Sequence, residues 1–338
     1  MKLQGGDIRK IAIFRALQLG DMLCTVPAFR ALRAAFPEAQ ITLLGLPWAA
    51  SFVNRFSTYL DQFIHFPGYP GLPEQPFDSQ QWEVFRQQIQ DENFDLVLQM
   101  QGNGNIVNEM LREISNGTLA GFHSSGNYKK SDTFIEYPNG ISEIEKHLLM
   151  LENLGISSKG TDLEFPVSSR EIENLKALRL PVSDKKYVCV HPGSRGSWRQ
   201  WPPSHFACMA DLCFGMGYKI IVTGTNDEAE ITEKVISLMD CPAINLTGKT
   251  GLGEIGELIK NAALLISNCT GVSHIASATK TPSIVISMDG EPERWGPLNT
   301  KIHKTVDWTK DPGFDFVKMQ TEILLSNIQK EEPVSVPL

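Results

Sequence analysis

The chain alternates short β-branched runs with segments of helical periodicity, and this alternation starts anew in the middle of the sequence. The first series opens with residues 11–15 and the second with residues 187–190. Each run leads into a glycine-containing loop and then into apolar residues at helical spacing. Strands that alternate with helices form parallel sheets covered by helices on both faces. The sequence therefore predicts an α/β protein with two Rossmann-like domains.

Further strands and helices follow in each series. We expect strands at residues 40–44, 63–66 and 96–99 in the first half, and at 219–223, 264–267 and 283–287 in the second, with helices near 204–216, 227–238, 253–261 and 314–329. Pro27 interrupts the first helical segment, so that helix either begins near Thr25 or kinks at the proline.

A length of 338 residues fits two domains at roughly 150 residues each. The polar stretch 155–181 is the predicted link. We place the first domain at residues 1–165, the second at 166–310 and a final helical segment at 311–338, which ends in a frayed tail over 330–338.

Composition excludes several classes of protein. The formal net charge of -8 argues against wrapping of nucleic acid, which depends on neutralising phosphates. The apolar runs are far shorter than the roughly 20 residues that span a bilayer, and residues 1–10 do not resemble a signal peptide. The six cysteines show no CxxC spacing. We therefore expect a reduced, cytoplasmic protein without a metal site.

The first candidate loop contains Gly20 and Asp21 and follows strand 11–15. Ligands of open parallel sheets bind beyond the carboxyl ends of the strands. At this position Asp21 could accept a proton from an attacking hydroxyl. It could equally cap the following helix, a position at which aspartate is common.

Two more polar loops follow strands in the second half. One runs from His191 to Pro203, where Gly193 permits close backbone approach, Ser194 offers a hydroxyl, and Arg195 and Arg199 offer donors for phosphate. The other contains Thr270 and Gly271, which open a helix whose free amides suit a diphosphate, and His274 lies one turn further. A solvated basic loop and a structural histidine are the alternative interpretations.

Other signals are weak. Gly102-Asn103-Gly104 is half of a dinucleotide fingerprint, and the sequence has no P-loop, HExxH or GxSxG motif. The proline-rich residues 67–78 form either a lid or a surface excursion without a role.

Taken in order, these segments resemble glycosyltransferase family 9, the bacterial ADP-heptose heptosyltransferases. The resemblance spans roughly residues 9–300 and rests on the segments 11–15, 19–23, 27–32, 94–98, 101–102, 120–122, 191–193, 201–202, 270–271, 274–278, 281–282 and 295–298.

The resemblance implies a GT-B fold, in which two Rossmann-like domains with parallel sheets face a central cleft and the final helix packs back on the first domain. It implies an inverting, metal-independent transfer that needs no cofactor. The donor would be a nucleotide sugar, with ADP-heptose the first choice, and the acceptor a glycan or glycolipid of lipopolysaccharide synthesis. The enzyme would be cytoplasmic, with possible peripheral contact at the inner membrane.

The resemblance also assigns roles to residues. Asp21 would be the general base, and the acceptor would lie near Gly20, Gln101 and Asn103. The candidate donor-binding residues are Gly193, Ser194, Arg195, Arg199, Asp227, Glu228, Cys269, Thr270, Gly271 and His274.

Cys269 departs from the family pattern, which usually has an aspartate just before the Thr-Gly pair. A thiol is a poor hydrogen-bond acceptor for a sugar hydroxyl. Two alternatives therefore stay open: a nucleotide-sugar epimerase or hydrolase of the same fold, and a nucleotide-sugar-binding protein without catalysis.

Overall fold

A computed structural model describes residues 8–124 and 131–331, and the chain divides into two compact units between Thr161 and Asp162. This division lies close to the boundary predicted at residues 165 and 166. In the described residues, none of the helices is both long and apolar enough to cross a bilayer.

The first unit is a six-stranded parallel sheet with flanking helices. Its elements are β1 (Lys10–Phe14), α1 (Leu19–Ala35), β2 (Gln40–Gly45), α2 (Ala49–Arg55), β3 (Gln62–His65), α3 (Ser79–Glu92), β4 (Leu96–Gln99), α4 (Val107–Ile114), β5 (Thr118–His123), β6 (Phe134–Glu136) and α5 (Glu143–Asn153). The strand order is β3-β2-β1-β4-β5-β6.

The second unit repeats this plan with the strand order β12-β11-β10-β7-β8-β9. Its elements are α6 (Ser169–Ala177), β7 (Tyr187–His191), α7 (Pro203–Gly215), β8 (Lys219–Val222), α8 (Ala229–Leu238), β9 (Ala243–Asn245), α9 (Leu252–Asn261), β10 (Leu264–Asn268), α10 (Gly271–Ala278), β11 (Ser283–Ser287), α11 (Pro292–Trp295), β12 (His303–Asp307) and α12 (Phe314–Glu331).

The predicted α/β class with two parallel sheets is confirmed. Central strands such as β1 and β10 are buried along almost their whole length, because helices cover both faces of each sheet. The strands β5, β6, β9 and β12 were not predicted. Their sequences are short or mix polar with apolar residues, as in the HKTVD sequence of β12.

The first helix does not begin near Thr25, which was one of the two predicted alternatives. Helix α1 begins at Leu19 rather than near Thr25, and Pro27 lies inside it. Proline lacks the N–H that would bond the carbonyl of Leu23, which weakens the helix at this turn. Ten residues of the helix, Pro27 among them, are buried, so tertiary packing maintains it.

The last helix, α12, contributes Val317, Leu324 and Leu325 to the core of the second unit. Its packing on the first unit stays a prediction. Of the predicted frayed tail, residues 332–338 lie outside the described residues.

Candidate functional site

Both sheets have a topological switch point, where the chain turns from one side of its first strand to the other. In the first unit this point lies between β1 and β4, and in the second between β7 and β10. In doubly wound sheets the loops at such a point diverge, and ligands bind in the crevice between them. The loops that the sequence singled out open at these two switch points.

In the first unit, Asp21 lies in the first turn of α1. One carboxylate oxygen, Oδ2, accepts a hydrogen bond from the Gln18 N–H at 3.3 Å, so the side chain does cap the helix. The other oxygen, Oδ1, lies 3.8 Å from Nη2 of Arg15, and 23% of the side chain stays exposed. Capping therefore leaves part of the carboxylate exposed to solvent.

Arg15, which follows β1 directly, was not among the predicted site residues. It is fully buried, and its guanidinium donates from Nε to the carbonyl of Asp21 at 3.0 Å and from Nη1 to the carbonyl of Met100. Its Nη2 donates to Oε1 of Glu143 at 3.2 Å. A charged residue that ends an apolar strand is the signal that could have identified it.

The surroundings of Asp21 change the pKa of its carboxyl group. Burial raises the pKa of its carboxyl above the usual value; the Arg15 cation opposes this effect, and the Glu143 charge adds to it. A carboxylate with a raised pKa takes up a proton more readily, as general-base catalysis requires.

The predicted acceptor-side residues have structural bonds of their own. The Gln101 side chain accepts from the Ala16 N–H at 2.7 Å and donates to Glu74 at 3.0 Å, which ties the loop after β1 to segment 67–78. Asn103 accepts from the Asn105 N–H at 3.2 Å in a turn. Gly20 lies beside Asp21 in the first turn of α1. Contact with an acceptor, and a lid role for residues 67–78, stay predictions.

In the second unit, Asn268 fixes the loop after β7. This buried side chain, which the sequence analysis missed, donates to the carbonyls of Pro192 at 2.7 Å and Gly193 at 3.3 Å. It also accepts from the Trp201 N–H at 2.9 Å. An asparagine at the end of an apolar strand marks such a position. The two loops at the switch point are thus joined by one amide.

Gly193 lies against Glu228, which follows β8. A Cβ at position 193 would stand 2.1 Å from Oε1 of Glu228. That carboxylate accepts from the Thr225 N–H at 2.8 Å and lies 3.7 Å from Nε2 of His191. Burial lowers the pKa of His191, and the Glu228 charge opposes this. Glu228 therefore belongs to the loop cluster, whereas the neighbouring Asp227 is exposed.

The two arginines of this loop differ. Arg195 is exposed and, in the described part of the chain, makes no hydrogen bond or ion pair. Arg199 pairs with Asp289, a carboxylate beyond β11 that is 7% exposed and was not predicted. The guanidinium of Arg199 also lies 5.0 Å from the ring of Trp198. Arg195 is thus available to bind an anion, whereas Arg199 is already paired with a carboxylate of the protein.

The loop after β10 places Thr270 at the N-cap of α10 and Gly271 at its first position, both half-buried. His274, in the first turns of α10, is buried, and its ring centroid lies 6.5 Å from that of Trp295. Ser194, in the loop after β7, is also buried. Burial raises the pKa of the Cys269 thiol to about 12, and the charge of Asp289 contributes. Cys269 is therefore a neutral thiol at physiological pH.

Within the residues that the structure describes, no cluster of three or more His, Cys, Asp or Glu side chains is arranged to hold a metal ion. None of the six cysteines, all of which lie in the described ranges, forms a disulfide.

Two Rossmann-type units, one presenting a carboxylate and the other glycine loops with arginines, define a GT-B protein. Residues 82–322 match the model of glycosyltransferase family 9 (heptosyltransferase), which includes the second-unit loops and begins after Asp21. The chain belongs to this family and is a glycosyltransferase.

Individual relatives agree with this assignment. Lipopolysaccharide heptosyltransferase 3 of Escherichia coli K12 is 26% identical over 314 residues, which cover 84% of this chain and 83% of the relative. The structure of the glycosyl transferase family 9 protein from Veillonella parvula has a TM-score of 0.77 at 20% identity and covers 97% and 99% of the two chains. E. coli ADP-heptose LPS heptosyltransferase II has a TM-score of 0.73 at 16% identity, with 95% and 100% covered.

Proposed function

We propose that this chain transfers heptose from ADP-heptose to a hydroxyl of a lipopolysaccharide-type acceptor, with inversion and without a metal ion or cofactor, and that Asp21 is the general base. Family membership and the relatives named as heptosyltransferases support the class of reaction. The observation that supports the mechanism is the largely buried Asp21 carboxylate, 23% exposed and with a raised pKa, at the switch point of the first unit.

In the proposed reaction, Asp21 accepts the proton of the acceptor hydroxyl as its oxygen bonds to the anomeric carbon of the sugar. The bond between that carbon and the diphosphate oxygen breaks on the opposite face. The products are the glycosylated acceptor, with inverted configuration, and ADP. The proton ends on Asp21 and passes to solvent before the next turnover.

The second unit would hold the leaving group. Free amides at the start of α10 and the exposed guanidinium of Arg195 suit a diphosphate, and Arg199 adds charge beside them. Donors of this kind stabilise the negative charge that develops on a departing diphosphate. In other transferases a bound metal ion stabilises this charge.

The donor sugar would meet Cys269 at the position where the family usually has an aspartate. Asp289 brings a carboxylate to the same neighbourhood from the next strand, and its charge raises the pKa of Cys269. We propose that a carboxylate oxygen of Asp289 accepts a hydrogen bond from a hydroxyl of the donor sugar. The thiol at position 269 is a poor acceptor for this bond.

The test is a transfer assay with ADP-heptose, ADP-mannose and UDP-N-acetylglucosamine as donors and heptose-deficient lipopolysaccharide as acceptor. We expect an acceptor heavier by one heptose, and stoichiometric ADP, with ADP-heptose alone. Asp21→Asn should lower kcat by roughly 1,000-fold, since it removes the base, and leave ADP affinity within a few-fold.

The matched control is Asp95→Asn. Asp95 also accepts hydrogen bonds from backbone N–H groups, those of Arg9 and Lys10, but at the amino end of the sheet. This variant should keep full turnover. Activity of Asp21→Asn within a few-fold of wild type would contradict the base. Release of free sugar without acceptor would indicate a hydrolase, and ADP-heptose binding without turnover a binding protein.

A further inference from the structure

A second buried carboxylate lies behind Asp21. Glu143 opens α5, is 2% exposed, and accepts through Oε1 from Nη2 of Arg15 at 3.2 Å. The same nitrogen lies 3.8 Å from Oδ1 of Asp21. One guanidinium therefore serves two carboxylates, and Glu143 is the nearer.

The remaining donors of Arg15 fix this arrangement. Nε bonds the carbonyl of Asp21, and Nη1 bonds the carbonyl of Met100. Guanidinium donors have a rigid planar geometry, so these two bonds hold Arg15 in place and leave Nη2 as the nitrogen that faces both carboxylates.

Glu143 has other neighbours on α5. Nζ of Lys146 lies 3.4 Å from its Oε2, and Nε2 of His147 lies 3.6 Å from its Oε1. Burial lowers the pKa of His147 to about 4, so the imidazole is neutral at physiological pH. The cluster thus holds two cations, Arg15 and Lys146, and two anions, Glu143 and Asp21. Of these charged groups, Arg15 and Glu143 face Asp21.

We propose that Glu143 is a positioning residue that engages the Arg15 guanidinium and thereby keeps the Asp21 carboxylate free to act as a base. This inference rests on the proposed function of Asp21. It assigns a role to a buried residue that lies 122 positions away from Asp21 in the chain.

Electrostatics gives the reason. A buried cation without another counter-ion would form a full ion pair with Asp21, and such a pair lowers a carboxyl pKa by about 1–3 units. Glu143 prevents this in two ways. It accepts the hydrogen bond of Nη2, the Arg15 nitrogen that also faces Asp21, and its negative charge disfavours ionisation of Asp21.

The direct test follows the carboxyl ¹³C signal of Asp21 with pH in protein labelled at aspartate, the signal being assigned from its loss in Asp21→Asn. In Glu143→Gln we expect the titration midpoint of Asp21 to fall by about one pH unit. Glu143→Asp retains the charge and should restore most of the shift. An unchanged or higher midpoint in Glu143→Gln would overturn the proposal.

Glu143→Gln leaves Lys146 without its buried partner and could unfold the chain. The double variant Glu143→Gln/Lys146→Gln removes one charge of each sign and should show the same fall in the Asp21 midpoint, because Lys146 does not act on Asp21 directly. The matched control is Glu257→Gln in the second unit. Glu257 is also buried and pairs with a lysine three residues on, Lys260, at 3.2 Å. The Asp21 midpoint should not move in this control.

The pH profile of kcat/KM, measured with ADP-heptose, separates the two proposals. If both hold, the acid limb of the profile moves to lower pH in Glu143→Gln by the same amount as the NMR midpoint. A midpoint that moves while the acid limb stays would support the Glu143 arrangement and contradict Asp21 as the base. A fixed midpoint, in a protein where Asp21→Asn abolishes turnover, would contradict Glu143 alone.

Discussion

The two units share one strand order, yet their switch points have opposite electrostatics. In the first unit the charged groups Arg15, Glu143 and Lys146 are buried and satisfy one another around Asp21. In the second, Arg195 points its charge to solvent, and the helix after β10 opens with free amides. On the proposed function, the switch point of the first unit would hold a proton acceptor and that of the second would offer donors to an anion.

The difference lies in which hydrogen bonds are already made. The guanidinium of Arg15 already donates to two carbonyls and to Glu143, so it is not available to bind an anion. Arg195 makes no such bond in the described part of the chain. Burial therefore separates the two proposed roles: the buried Arg15 would affect the pKa of Asp21, and the exposed Arg195 would bind a ligand.

The largest effect expected on donor binding comes from Gly193→Ala. The new Cβ would displace the Glu228 carboxylate and disturb the loop after β7, because that carboxylate is tied to the Thr225 N–H. Because this loop would hold the donor, we expect its displacement to lower ADP affinity roughly 30-fold in isothermal titration calorimetry, which corresponds to about 2 kcal/mol.

Gly215→Ala is the control for this substitution. A Cβ at position 215 meets no atom within 4 Å, so affinity and thermal stability should stay as in the wild type. Equal ADP affinity in Gly193→Ala and wild type would show that the second-unit loop is not the donor site, and the contrast between the two crevices would lose its basis.

The sequence predicts the sheets well because their central strands are continuous apolar runs, as in β1, β7 and β11. The general position of the loops follows from the same fact, since parallel strands bring their carboxyl ends to one edge of the sheet. Edge strands are less apolar, and β9, at three half-buried residues, has no periodicity to detect.

The bonds within each site could not be predicted. Arg15 and Glu143 meet although 128 residues separate them, and Asn268 reaches a loop 75 residues earlier. No local pattern encodes such pairings. Sequence spacing could place Asp21 at the start of a helix, but only packing shows that its carboxylate is buried enough for its pKa to rise.

A smaller effect should separate the two arginines of the second unit. Arg195→Ala removes an exposed cation, so we expect ADP affinity to fall about tenfold with no change in Tm. Arg199→Ala should lower Tm as well, because it removes the cation paired with the nearly buried Asp289, whose remaining hydrogen bonds come from Ser287 and Glu291. Calorimetry and thermal unfolding of both variants test this. An unchanged Tm in Arg199→Ala, or a lower one in Arg195→Ala, would contradict the assignment of their surroundings.

The smallest effect concerns the pH dependence of ADP affinity. It compares Asp21 of the first unit, which is proposed to gain and lose a proton, with Cys269 of the second, which is not. Burial raises the pKa of Cys269 to about 12, so this thiol should stay neutral and add no negative charge beside the donor. ADP affinity should then change by less than about twofold between roughly pH 7.5 and 9, a range where an ordinary thiol ionises. Cys269→Ser should give the same flat profile. If affinity falls with rising pH in wild type and not in Cys269→Ser, the thiol does ionise, and the second crevice is a titrating site like the first.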